Sequence, residues 1–369
     1  MQRRNFFKTA AALGVLGFFG KDSATAAQPS LATPSTGQAP AVFQVPKLAN
    51  PDNWTMVVIP DPQQYTSTRN FPLYKIMMNW IVENKTPLNI QTALCVGDLV
   101  NYNQANEQWK FTSEGLGLLD GEIPYVVCTG NHDYGSERAS ADTRQTQLDT
   151  YFPATKNPLW NGILVEQMDN TFGKKTLELA AYEFLLPGEK KMLVISLPFA
   201  PTDAMLAWAK GLCDSEKYAG HFVALVTHQY MLPHARNNVL DGSKGYKILR
   251  EDGNAGVEMW EKLVQPSKNL RMVISGHHSA PDNMADCVGF RTDKNAVGKT
   301  VYQMVFDTQA LGGGWNGNGG DGWLRMLEFS KEMKQVRAYT YSPFFAMSPS
   351  TRFLAYDREV YNQFDFEID

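Results

Sequence analysis

The sequence predicts an α/β protein arranged as a four-layer α/β/β/α sandwich. Two observations carry that prediction. Short apolar runs rich in β-branched residues alternate with helix-period segments through the first three quarters of the chain, which argues for a mainly parallel core. Further strand-like runs then follow one another with no helix between them, which suits a second sheet packed on the first.

The chain opens with a segment that is not part of that fold. Gln2-Arg3-Arg4-Asn5-Phe6-Phe7-Lys8 precedes an apolar run, Thr9–Gly20, and the small residues Ser23–Ala27 suit cleavage. The run has 12 residues, short of the roughly 20 that a spanning helix needs. Residues 1–27 therefore read as a secretory signal and not as a permanent membrane anchor. The paired arginines, with Phe6 and Lys8, look like a twin-arginine signal. That expectation brings the twin-arginine export machinery as a partner, folding and metal loading before export, and a periplasmic or extracellular location. Residues 28–53, with Pro29, Pro34, Pro40, Pro46 and Pro51, read as an extended tether, and residues 54–369 as a single domain.

Composition narrows the partners. The chain has 369 residues, 43% of them hydrophobic and 12% aromatic, enough for a large core. Its net charge is −4, and removal of Arg3, Arg4, Lys8 and Lys21 with Asp22 takes away +3, leaving −7. No basic block replaces them, which argues against nucleic acid as a stable partner and leaves small phosphorylated substrates open. Cys95 and Cys128 each sit in an apolar run two residues before a glycine, where buried free thiols are expected.

Element by element, the first strand is expected over Thr55–Pro60, running into Asp61-Pro62-Gln63, and a helix over Phe71–Asn84. Thr92–Val96 ends in Gly97-Asp98, with Asn101 three residues on, and a helix over Ala105–Leu119 follows. Ile123–Cys128 ends in Gly130-Asn131-His132-Asp133. Tyr134–Thr171 reads as irregular, and Leu177–Leu186 with Met192–Leu197 as a hairpin turning at Pro187-Gly188. Helices over Asp203–Leu212 and Val257–Val264 precede the strands His221–Thr227 and Arg271–Ser275, which run into His228 and Gly276-His277-His278. Val301–Asp307, Trp323–Phe329 and Val336–Tyr341 are the late strands, and the glycine-rich Gly312–Gly320 between two of them reads as a connecting loop.

Five strand ends thus carry two carboxylates, amides and imidazoles. A glycine closing a buried strand lets the backbone turn sharply at the carboxyl edge, where open α/β sheets place ligands. Oxygen and nitrogen donors without thiolates suit Mn, Fe or Zn. Taken singly, Asp61 or Asp98 equally reads as a helix cap, Asn131 as a turn residue and His228 as a core histidine. Their recurrence behind five strands favours ligands. His221 starts the strand that His228 ends, so it belongs to the opposite edge. His234 reads as a surface histidine, and Tyr65 and Tyr134 as core aromatics or pocket residues.

In that order, Asp61/Gln63, Gly97/Asp98, Gly130–Asp133, His228 and Gly276/His277 resemble the motif series of the calcineurin-like metallophosphoesterases, over residues 56–278. Trp323–Pro343 is similar to the tail of secreted members that begin Asp-Pro-Gln. The resemblance implies hydrolysis of phosphoric esters by a two-metal-activated hydroxide. Asp98 would bridge the ions, with Asp61 and Gln63 on one side and Asn131, His228 and His277 on the other. His132 would be the general acid or a phosphate contact, oriented and held protonated by Asp133. The chain departs from the pattern at Ser279, where a second histidine is expected, while His278 stands one position earlier. Either a loop shift brings His278 to the metal, or the Asp61/Gln63 side lacks an imidazole and holds its ion less tightly. A phosphodiesterase or nucleotide hydrolase is an alternative within the same chemistry. A non-catalytic phospho-ligand-binding protein of the cell envelope is one outside it.

Overall fold

The structure, a computed structural model, describes residues 43–67, 69–136 and 140–369. The expected signal (1–27) and the first part of the tether, residues 28–42, lie outside the described residues.

Strand β1 (Trp54–Ile59) is followed by a short helix α1 (Gln63–Ser67) and by α2 (Phe71–Glu83). Helix α2 starts with Pro72 in its first turn and ends at Asn84, whose Nδ2 donates to the Trp80 carbonyl at 2.8 Å. Leu73, Tyr74, Met77, Met78 and Ile81 recur at helical spacing and form its buried face. Then come β2 (Ile90–Cys95), α3 (Asn106–Leu116) and β3 (Tyr125–Val127). Strands β1, β2 and β3 are parallel neighbours, as the alternating pattern predicts.

The second sheet begins after β3. It contains β4 (Leu164–Asp169), β5 (Lys175–Leu186), β6 (Lys190–Ser196), β7 (Phe222–Val226), β8 (Leu270–Ser275), β9 (Val288–Lys294) and β10 (Thr300–Phe306), in the spatial order β4-β5-β6-β7-β8-β10-β9. Its β6, β7, β8 and β10 run parallel. Tyr182, Val194, Val226, Ile274 and Met304 share one core with the first sheet. Their neighbours Ala181, Leu193, Leu225, Val273 and Val305 face a second core formed with Asp203–Asp214 and Gly256–Val264. Each large apolar side chain removed from water on these faces contributes roughly 1.5–3 kcal/mol. Two-sided burial explains why these strands read as unbroken apolar runs.

The late strands divide differently from the expectation. β11 (Leu324–Phe329) and β12 (Gln335–Tyr341) extend the first sheet, antiparallel, in the order β13-β12-β11-β1-β2-β3, with β14 (Phe364–Glu367) also on β12 and β13 at Tyr356–Asp357. Of the three late runs only β10 joins the second sheet. The β1–β11 pairing is anchored where the rings of Trp54 and Phe329 stack 4.2 Å apart. β4, inside the stretch read as irregular, is a half-exposed edge strand of mixed polarity and so leaves little pattern. The described residues, from 43 to 369, fall within one unit by internal contacts.

Candidate metal centre

The five motif strands do not share one sheet. β1, β2 and β3 belong to the first and β7 and β8 to the second, and their carboxyl ends meet across the shared core. Cross-sheet hydrogen bonds hold the two rims together: Ser196 Oγ to the Val127 carbonyl at 2.9 Å and the Phe199 amide to the Thr129 carbonyl at 2.9 Å.

Asp98, His228 and His277 present ligand atoms within 4.8 Å of one another. Nδ1 of His228 lies 2.9 Å from the Val96 carbonyl, an acceptor only, so Nδ1 carries a proton and Nε2 is the nitrogen turned to the centre. That Nε2 faces Asp98 Oδ1 at 3.4 Å, Asn131 Oδ1 at 3.1 Å and His277 Nδ1 at 3.1 Å. Asn131 is oriented by its Nδ2, which donates to Ser140 Oγ at 2.7 Å and keeps the amide oxygen inward. Two oxygens and two ring nitrogens therefore converge on one point.

On the other side, Gln63 Nε2 donates to Asp98 Oδ2 at 2.9 Å, and the His277 amide donates to Asp61 Oδ2 at 3.0 Å. Both Asp61 Oδ1 and Gln63 Oε1 are buried without a hydrogen-bond partner. The backbone is shaped around these groups, since a Cβ on Gly130 or Gly276 would run into the carboxylate oxygens of Asp98 and Asp61 respectively.

Asp61, Asp98, Asp133 and Asp307 are all buried, yet among the described residues no Lys or Arg pairs with any of them. Burial, then Asp307 and Asp98, pushes the Asp61 carboxyl well above its ordinary range, and burial lifts Asp307 to about 6. Burial also acts to raise Asp98, but the imidazoles of His228 and His132 outweigh it and hold that carboxyl low. Burial, then His228 and His278, keeps His277 well below the usual imidazole range and so neutral. Clustered buried carboxylates, inward-facing imidazole nitrogens and unpartnered oxygens fit cation ligands.

Two expected assignments need correction. His278 does not reach the cluster through its Nε2, which pairs with Asp241 at 2.8 Å; Asp241 in turn accepts from Gln229 Nε2 at 2.6 Å. Asp133 does not orient His132. Its oxygens accept from the Gly130 amide at 2.7 Å and the Val100 amide at 3.0 Å, tying the β2 and β3 loops together. His132 is instead fixed by Nδ1 on the Asn101 carbonyl at 2.8 Å, while its own amide donates to Asp98 Oδ1 at 2.9 Å.

The sequence reading passed over Asp307 and Gln309. They follow β10, and Gln309 Oε1 accepts from Gln63 Nε2 at 2.5 Å while its Nε2 lies 3.4 Å from Asp61 Oδ2. An apolar strand ending in Asp was the available signal, as at Asp61. Among the flanking residues, His221 pairs with Glu183 at 2.8 Å away from the centre, His234 is exposed against Tyr361, and Tyr65 and Tyr134 are core residues. All four cysteines are buried free thiols. A cleft of about 860 Å³ between residues 49–53 and the ends of β11, β12 and β14 lies at the opposite rim, by Trp54 and Phe329, with none of these residues.

Comparison with known proteins places this geometry in a family. The chain is 27% identical over 301 residues to YvnB, an uncharacterized protein of Bacillus subtilis (strain 168), covering 79% of this chain. It spans only 20% of that relative's length. Among solved structures, the purple acid phosphatase PPD1 from yellow lupin (Lupinus luteus) aligns over 86% of this chain and 54% of its own, with TM-score 0.46 and 14% identity. GAP50, the anchor in the inner membrane complex of Plasmodium, aligns over 86% of this chain and 89% of its own, with TM-score 0.39 and 12% identity. TT1561 of Thermus thermophilus aligns over 79% and 99%, with TM-score 0.38 and 9% identity. These structural likenesses are distant, and the assignment rests on the family model for calcineurin-like phosphoesterases, which matches residues 56–287, well over half of the chain. The chain belongs to the calcineurin-like phosphoesterase family.

Proposed function

We propose that the protein is a metal-dependent phosphoric ester hydrolase working on small phosphorylated substrates with two bound cations. The observation that carries this reading is the set of buried aspartates without Lys or Arg partners among the described residues, facing two inward-turned imidazoles in a chain of this family. Asn131, His228 and His277 would hold one ion, Asp61 and Gln63 the other, with Asp98 shared between them. Bound Mn, Fe or Zn supplies Lewis acidity toward a phosphoryl oxygen and lowers the pKa of water.

The chain's own groups do the rest. Asn101 and Asp98 fix His132 by its ring and its amide; with Nδ1–H on the Asn101 carbonyl, Nε2 has a proton to give to the departing alkoxide oxygen when the ring is the imidazolium, and donation leaves the neutral Nδ1–H ring. Asp133 locks the loops that present Asp98 and Asn131. His132, His277 and His278 are half-buried. The Asp-Pro-Gln start at Asp61 and the Arg3-Arg4 signal sequence support an exported enzyme of the periplasm or cell exterior.

The test is hydrolysis of p-nitrophenyl phosphate and bis(p-nitrophenyl) phosphate by the mature protein after chelation and after reloading with Mn²⁺. Turnover that disappears on chelation and returns on reloading is expected. A reloaded protein that cleaves neither ester contradicts the proposal.

A further inference from the structure

We propose that the turn Asp307-Thr308-Gln309 after β10 completes the cation site on the Asp61/Gln63 side, with the Asp307 carboxylate and the Gln309 amide standing where the family pattern supplies an imidazole. The inference rests on the metal-centre reading above.

Three observations lead to it. Asp307 is fully buried; it accepts from the Gln309 backbone amide at 3.0 Å and from Gln309 Nε2 at 3.0 Å, and its carboxyl also hydrogen-bonds the Asp61 carboxyl. None of these partners brings a positive charge. A buried carboxylate with only neutral donors is costly unless a positive charge lies beside it.

The turn is also linked to the centre itself. Gln309 reaches Asp61 Oδ2 through Nε2 at 3.4 Å and accepts from Gln63 at 2.5 Å, and that same Gln63 nitrogen donates to Asp98 at 2.9 Å. A continuous series of polar contacts thus runs from Asp307 through Gln309 and Gln63 to Asp98. The two unpartnered buried oxygens, Asp61 Oδ1 and Gln63 Oε1, lie in this same group and are the acceptors a cation would satisfy.

Finally, the position that lacks a histidine holds the turn. Ser279 Oγ accepts from the Ala310 amide at 3.1 Å. From the far side, the glycine loop closes on it so tightly that a Cβ on Gly320 would sit 2.5 Å from the Thr308 carbonyl oxygen. Ser279 therefore marks an exchange of donors. The chain gives up one imidazole and gains a seat for a carboxylate and an amide from another strand.

The experiment is equilibrium titration of the chelated mature protein with Mn²⁺, in wild type, Asp307→Asn and Gln309→Glu. Wild type is expected to show two binding steps. Asp307→Asn keeps an acceptor oxygen for the Gln309 backbone amide but loses the charge and the acceptor facing Gln309 Nε2, so its weaker step loosens by roughly tenfold or more while the tighter step stays put. Gln309→Glu adds charge and tightens the same step, which a merely structural turn does not produce; this variant also covers the case in which Asp307→Asn does not fold. Two wild-type steps that both variants leave unchanged overturn this inference alone. A wild-type chain that takes up no Mn²⁺ overturns the metal-centre reading and this inference with it.

Discussion

The two halves of the centre are made of different chemistry. Asn131, His228 and His277 offer one amide oxygen and two ring nitrogens, from loops after β3, β7 and β8. Asp61 and Gln63, with Asp307 and Gln309 beside them, offer oxygens alone, from loops after β1 and β10. Imidazole suits Zn and Fe, whereas carboxylates and amides suit harder ions such as Mn and Mg. The halves also differ in what they need. His277 is held neutral by burial, but the oxygen half gathers buried carboxyls that no Lys or Arg pairs with among the described residues, and burial pushes Asp61 and Asp307 toward their protonated forms. On the proposed reading, the centre would be two unlike cation sites joined by one shared residue, Asp98.

Removing the shared residue erases the contrast. Asp98→Asn takes the anionic oxygen from both halves at once, and kcat/KM should fall on the order of 10³-fold or more with both ions lost. Metal analysis beside kinetics checks this; retention of both ions would show that Asp98 serves neither. His132→Ala comes next. It leaves both halves intact and removes the proton donor, so turnover falls by roughly 10²–10⁴, most with poor leaving groups because a phenolate needs little protonation. If the metal content falls with it, His132 is a ligand and its assigned role is wrong.

The five junctions that were legible in the sequence each combined an apolar run with a motif residue of metal-binding type. His228 and His277 stood out because imidazole is an unusual residue to end a buried strand. Asp307 did not, because an Asp leading into Thr-Gln looks like ordinary turn chemistry. The role of Asp133 was misread for a related reason. Sequence adjacency to His132 says nothing about orientation, and its carboxylate turns inward to backbone amides at 2.7 and 3.0 Å. Sheet membership was the least legible feature. β3 and β7 are both short apolar runs, and which sheet each joins is decided by partners far along the chain, as in the pairing of β1 with β11.

The oxygen half should also announce itself in stability. Asp307 has a folded-state value of about 6 against an ordinary 3.8, so the folded metal-free protein holds that proton more tightly than the unfolded chain. Its contribution is present below 3.8 and lost as pH rises through about 6. Asp61, raised in the same direction, extends the loss. Chelated protein should melt at lower temperature as pH goes from about 4 to about 7, and Mn²⁺ should reverse the slope. A chelated protein whose melting temperature rises over that range would contradict the buried-charge argument. The smallest effect belongs to His278→Ala. Because His278 is tied to Asp241 at 2.8 Å, both ions should be retained and kcat/KM should change by less than about threefold. Loss of an ion in this variant would mean that the loop moves to let His278 bind.

The claim on which the account turns is that one aspartate joins two cation sites of different composition. Calorimetric titration of the chelated mature protein with Zn²⁺ and with Mn²⁺ tests it most directly. The account predicts two ions per chain in separate steps, with Zn²⁺ favouring the imidazole half by a wider margin than Mn²⁺. Two indistinguishable steps for both metals, or no uptake at all, would contradict it.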